Sequence, residues 1–197
     1  MAVIDPKTFP KPTSDLDQTG EQQVVLAGGC FWCTEGVFEK LPGVTDVTSG
    51  YTGGQDGPTS YEAVCRGTTG HAEAIRITYD ADQITFGQLL RIFFAVAHDP
   101  TQLNRQGNDV GTQYRSAIFY ANEDQNRVAA EYIQTLDDAG VFPSAIVTTL
   151  EPLGEFIEAE AYHQDFMQHN PSQPYVCAVG LPKVRKLDAW LASEAAA

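Results

Sequence analysis

The sequence predicts a single domain, of α+β or α/β class, in which helices pack on one layer of β-sheet. Three observations carry this. Short apolar runs of strand length alternate with segments whose apolar residues recur every three or four positions. Gly, Pro, Asn and Asp mark the changes from one period to the other. The chain of 197 residues is 43% hydrophobic and 19% charged, enough for one substantial core. No internal repeat is present, and no apolar stretch approaches membrane-spanning length.

Residues 1–22, with Pro6, Pro10 and Pro12, form a polar extension without the apolar core of a signal peptide, so the expected location is the cytoplasm. A strand is predicted over 23–27 and, after Gly28-Gly29, a helix over about 31–41. Its apolar stripe is Thr34, Val37, Phe38 and Leu41, and Pro42-Gly43 ends it. Val44 to Gly50 reads as a second strand, and Tyr51 to Ser60 as a glycine-rich loop. Cys65 follows in a strand-like, buried run and reads as structural.

Residues 72–79 form the clearest strand. Thr85 with Gln88 makes a capping-box pattern before the stripe Phe86, Leu89, Leu90, Phe93 and Ala97. Asp99 to Gly111 is a loop, Ser116 to Tyr120 a strand, and Asn122 with Gln125 caps a helix that runs to Gly140. Ala145 to Leu150 reads as a late strand and Glu158 to His169 as a short helix. Beyond Asn170-Pro171 the chain reads as irregular and then briefly helical.

Twelve Lys and Arg against 26 Asp and Glu leave a formal charge of −14, which argues against nucleic acid or an anionic membrane as partner. Four cysteines in a cytoplasmic chain do not read as a disulfide framework. Cys30 and Cys33 are the one Cys-x-x-Cys pair, with no second pair at zinc-finger spacing, so redox chemistry outweighs a metal site.

Cys30 is the most informative residue. A strand, a glycine turn and a helix start place its thiol at a helix N-terminus, where unpaired N–H groups favour a thiolate. Phe31 and Trp32 beside it suggest a small apolar substrate. Strand alternation puts Glu73 on the face of Ile75, Ile77 and Tyr79, where lost hydration raises its pKa and makes it a proton donor. The competing reading pairs Glu73 with Arg66 or Arg76. Tyr61 and Tyr114 close loops that can place hydroxyls at a pocket mouth, and His98 and His163 are candidate bases or ligands that more commonly serve structure.

Five motifs then occur in order: Gly29-Cys-Phe-Trp-Cys33, Gly70-His-Ala-Glu73, Asp99-Pro-Thr-Gln102, Gly107-Asn-Asp109 with Gly111-Thr-Gln-Tyr-Arg115, and Tyr162-His-Gln-Asp165. Together they resemble the A-type peptide-methionine sulfoxide reductases, over about residues 23–186. The resemblance implies a mixed-sheet, ferredoxin-like α+β sandwich, with residues 1–22 and 187–197 as extension and tail. It implies reduction of methionine-S-sulfoxide, free or in proteins, by a monomer that uses no cofactor and is reset by thioredoxin. The family's nucleophile falls on Cys30, its methyl pocket on Phe31 and Trp32, and its acid on Glu73. The tyrosines that hold the sulfoxide oxygen fall on Tyr61 and Tyr114, and the pocket aspartate on Asp109. Many members carry Gly where this chain has Cys33, which leaves Cys33 and Cys177 as candidates to resolve the sulfenic acid. The Pro-rich, flexible-looking tail favours Cys177. A strand followed by Cys-x-x-Cys also suggests a thioredoxin-like disulfide oxidoreductase, and a thiol or zinc-binding module is a third alternative.

Overall fold

The computed structural model describes residues 6–55 and 59–195; three residues of the predicted glycine-rich loop, 56–58, lie outside it, as do Ala196 and Ala197. The chain runs β1 (Glu21–Gly28), α1 (Phe31–Phe38), β2 (Val44–Thr52), α2 (Tyr61–Cys65) and β3 (Ala72–Asp80). α3 (Phe86–Ile92) follows and continues as a π-helix over Phe93–Ala97. Next come the hairpin β4 (Arg105–Gln106) and β5 (Asp109–Val110), then β6 (Ser116–Tyr120), α4 (Glu123–Asp138), β7 (Thr149–Pro152) and β8 (Ile157–Glu158). α5 (Phe166–His169), a π-helix over Val176–Gly180 and α6 (Leu181–Ala195) complete it.

Six strands form one mixed sheet in the order β7-β6-β1-β3-β2-β8, antiparallel except for the parallel pair β6 and β7. The inner four, with α1 and α3 as crossovers, make the β-α-β-β-α-β ferredoxin-like arrangement. Alternation sends Val24, Leu26, Ile75, Ile77 and Tyr79 to the face that α1 and α3 cover. The opposite face carries smaller residues, Ala27, Ala72, Ala74 and Ala117, and packs under Leu153 and Phe156. Both faces are therefore dry, and the edges are closed by short strands.

The capping signals hold in detail. Thr85 and Gln88 form a reciprocal capping box, and the Asn122 side chain accepts from the Gln125 amide at 2.9 Å. Several segments differ from the sequence expectation, and the loop expected over 99–111 holds the hairpin β4 and β5. β2 extends through Tyr51 and Thr52, because each finds a ladder partner in β3. Tyr61 to Cys65 is a short helix capped by Ser60, and Cys65 is half-buried. The late strand is displaced to Thr149–Pro152, the part that pairs with β6. The expected helix over 158–169 splits into β8, a 3₁₀ turn and α5, because Asp165 adopts φ +51° and the Gln164 side chain bridges the carbonyls of Ser49 and Ala159.

The C-terminal segment is ordered helix. Leu187 and Trp190 of α6 are buried, and Trp190 meets Phe9 edge-on at 5.7 Å. Arg91 lies over the same indole at 4.9 Å, donates to the carbonyls of Pro6 and Phe9, and pairs with Glu194. Segments read as extension and tail thus meet across α3. Among the described residues, no helix is long and apolar enough to cross a membrane.

Candidate active site

β1 ends at Gly28-Gly29, and Gly29 has φ +88°; a Cβ there would lie 2.6 Å from the Gln106 side chain. Glycine lets the loop around Gln106 close on the turn, and the next residue, Cys30, takes the N-cap position of α1. Its carbonyl accepts from the Cys33 amide at 3.1 Å, but its thiol caps nothing. The first amide of α1, Phe31 N–H, donates instead to Glu73 Oε2 at 3.0 Å. Glu73 reaches it from β3, 1% exposed, on the face of Ile75 and Ile77 as expected. Burial pushes its carboxyl up to about 8, the charges of Asp109 and Cys33 add, and the Phe31 amide opposes. Arg76 lies elsewhere, over the Phe156 ring and within 3.8 Å of Glu158, and Arg66 makes no ion pair among the described residues.

The thiols depart from expectation. Burial pushes the Cys30 thiol well up, and its hydrogen bond to Cys33 and the Glu73 charge add to this. Cys33 is drawn down to about 7 by the hydrogen bond from Cys30, with the Lys183 ammonium and the Tyr175 hydroxyl helping against burial. Burial of the Cys30 sulfur outweighs the helix end, whose leading amide serves Glu73.

Phe31 is buried and Trp32 half-buried. Trp32 stacks on Phe166 at 3.7 Å with the rings 7° from parallel, and its Nε1 donates to His163 Nδ1 at 3.0 Å. That bond makes Nδ1 the acceptor, which leaves the proton of the neutral ring on Nε2; burial keeps the ring neutral. His163 also lies 4.4 Å from the Tyr61 ring and 5.2 Å from Phe31. Tyr61 opens α2 nearly parallel to Phe31, its hydroxyl beside the Cys65 thiol, and its amide donates to Glu160 Oε1 at 3.0 Å. The other oxygen of Glu160 accepts from Tyr51 at 2.9 Å. Behind Trp32, the buried Glu35 accepts from Ser49 Oγ at 3.0 Å and from the Phe166 amide at 3.3 Å.

The loop after α3 brings in the last groups. Tyr114 ends a 3₁₀ turn, half-buried, within electrostatic reach of Glu73, Cys65, Asp109 and Cys30. Asp109 accepts from the hydroxyl of Tyr175. Tyr175 stands edge-on to Trp32 at 6.1 Å and hydrogen-bonds toward both Cys30 and Cys33. Sequence reasoning missed Tyr175, Glu160, Glu35 and Phe166. The only signal for Tyr175 is its place two residues before Cys177, and no periodicity marks it. Cys177 is exposed, and its thiol donates to the Pro171 carbonyl at 3.4 Å. His98 is structural: Phe93 O and Ser116 Oγ occupy its two nitrogens, and burial lowers it to about 3. Among the described residues, no three His, Cys, Asp or Glu side chains are grouped to hold a metal.

A paired thiol, a protonated buried carboxyl and an aromatic wall are suited to delivering a proton and a sulfur nucleophile to a small, polar-tipped apolar group. Known proteins agree. The family described as peptide methionine sulfoxide reductase matches residues 22–194. The peptide methionine sulfoxide reductase MsrA 2 of Mesorhizobium japonicum is 52% identical over 168 residues, covering 85% of this chain and 86% of its own. The solved structure of reduced Mxr1 from Saccharomyces cerevisiae superposes with a TM-score of 0.72 at 35% identity, covering 88% of this chain and 98% of that one. Mxr1 has also been solved in complex with Trx2, and that copy matches with a TM-score of 0.50 at 25% identity over 81% of this chain and 94% of its own. This chain belongs to the peptide methionine sulfoxide reductase family and is an enzyme that reduces methionine sulfoxide.

Proposed function

We propose that the enzyme reduces methionine-S-sulfoxide, free or in proteins, with Cys30 as nucleophile and Glu73 as acid. The observation that carries this is the buried Glu73 carboxyl, raised to about 8 and hydrogen-bonded to the amide next to Cys30. Phe31 and Trp32 receive the substrate methyl, while Tyr61 and Tyr114 hold the sulfoxide oxygen and Asp109 helps to shape the pocket. Glu73 protonates that oxygen, which makes the substrate sulfur electrophilic. Cys30 passes its proton to Cys33, the partner drawn down to about 7, and attacks. The sulfoxide gains two electrons and leaves as methionine; Cys30 loses two and keeps the oxygen as a sulfenic acid.

Cys33 then displaces that oxygen as water and forms the Cys30–Cys33 disulfide. Contact with Cys30 favours Cys33 over the exposed Cys177 as the resolving thiol. A thioredoxin-type dithiol restores both thiols, in keeping with the complex of the yeast relative. Residues 23–186 are the catalytic unit, acting as a monomer in the reducing cytoplasm that suits its free cysteines. Turnover of the two separated sulfoxide epimers with a dithiol tests the reading. Conversion of the S epimer alone is expected, and equal conversion of the R epimer would reject it.

A further inference from the structure

A cavity distinct from the aromatic wall opens beside the nucleophile. About 740 Å³ in volume, it is bordered by Cys30 and runs against the π-helix at Val179 and against α6, where Pro182, Lys183, Arg185 and Lys186 line it. Three of the chain's 12 Lys and Arg residues therefore line one groove in a protein of charge −14. Among the described residues, none of the three makes an ion pair. Lys186 Nζ is buried without a hydrogen-bond partner. Its ammonium is pushed down by burial and then by the like charge of Lys183, with the Asp99 carboxylate opposing.

Two carboxylates share the cavity, each held by neutral donors, so its three cations outnumber them by one. Asp99 accepts from the amide and hydroxyl of Thr101 and from Gln102 Nε2, and Asp109 accepts from Tyr175. A desolvated ammonium with no partner is costly and is relieved by an incoming anion. An anionic group on the substrate can reach the groove while the sulfoxide faces Cys30, because the same cavity borders the nucleophile. The sulfoxide group is itself neutral, so the charge comes from elsewhere on the substrate.

We propose that this groove is a substrate subsite for carboxylates, binding acidic side chains that flank methionine sulfoxide in a polypeptide. It rests on the functional reading above and adds a preference within it. The remaining acidic surface repels such segments, so the three cations of the groove define where an acidic strand of chain can lie.

The test uses the full chain and three pentapeptides with central methionine sulfoxide, flanked on both sides by Glu, by Gln or by Lys, with a small-molecule dithiol as reductant. The parent is expected to favour Glu over Gln by about tenfold in kcat/KM, through KM, with Lys worst. High salt should shrink the gap. Lys186→Met should bring the Glu-to-Gln ratio to about one, and Lys186→Arg should retain it. N-acetylmethionine sulfoxide against its methylamide reports whether a main-chain carboxylate uses the same lysine: a ratio that also collapses in Lys186→Met extends the subsite to free acids. Equal rates on Glu and Gln peptides in the parent, or an unchanged ratio in Lys186→Met, would overturn the subsite. So would a Lys186→Met defect confined to thioredoxin-driven cycling, which would assign the groove to the reductant. Reduction of none of the peptides would overturn the functional reading instead.

Discussion

Glu73 acts as an acid only while protonated, and burial holds its pKa at about 8. With Cys33 taking a proton at about 7 and Glu73 giving one at about 8, the rate of sulfenic acid formation should peak between the two and fall as pH rises further. Glu73→Gln keeps the shape but delivers no proton, so it should lose about 10²–10⁴-fold and the alkaline limb with it. Single-turnover quench at each pH checks both; a limb that survives in the Gln variant would assign it to another group. The cysteines separate by the same method. Cys30→Ser should form no methionine. Cys33→Ser, which loses the proton acceptor as well as the resolving thiol, should release one equivalent more slowly and then stall with thioredoxin, while Cys177→Ser cycles at the parental rate. Normal cycling in Cys33→Ser, with stalling in Cys177→Ser, would return the resolving role to the surface thiol.

α6 extends well beyond the brief helix its sequence suggests, since Trp190 finds an apolar seat against Phe9 and a cation in Arg91. Trp190→Ala should cost about 3–5 kcal/mol in urea unfolding, as for other buried aromatics, and loosen residues 6–9 with it. Protease sensitivity of the N-terminal segment that matches the parent would disprove the link. At α3, Thr85→Ala removes both the cap and the bond to Asp15, and about 1 kcal/mol should go with it. The segment 158–169 shows the opposite case. Its composition permits a helix, yet Gln164 gains two backbone carbonyls and Glu160 gains Tyr51 and Tyr61 by leaving it. Long-range hydrogen bonds outweigh a short helix whose own propensity is weak.

Across the molecule, buried carboxyls set the pH profile of stability. Burial raises Glu73 and Glu35 to about 8 and Glu39 to about 7, so the folded chain holds protons that the unfolded chain releases near 4.5. That contribution is full below the unfolded value and is lost as pH rises through 7 to 8. His98 has the reverse sign: lowered to about 3, it favours the fold above its unfolded value near 6.5 and does so less as pH falls below that. The melting temperature should thus decline from pH 6 to pH 9, and Glu35→Gln should flatten the decline. A decline equally steep in that variant would place its cause outside Glu35.

Local chemistry by itself determined the elements that site the nucleophile: the Gly28-Gly29 break, the two capping pairs and the alternation that turns Glu73 inward. Those signals act over a few residues, so they are legible without a fold. The family motifs named Tyr61, Tyr114 and Asp109, which no period distinguishes from other residues of their kind. Only the tertiary structure decided that Cys30 is desolvated and hydrogen-bonded to Cys33, because both depend on what packs over the turn. It also brought Tyr175 and Glu160 to the site from far along the chain, and it gave Glu35 its partners Ser49 and Phe166. Their roles arise from burial and from partners up to 131 residues away, and neither is written in local pattern.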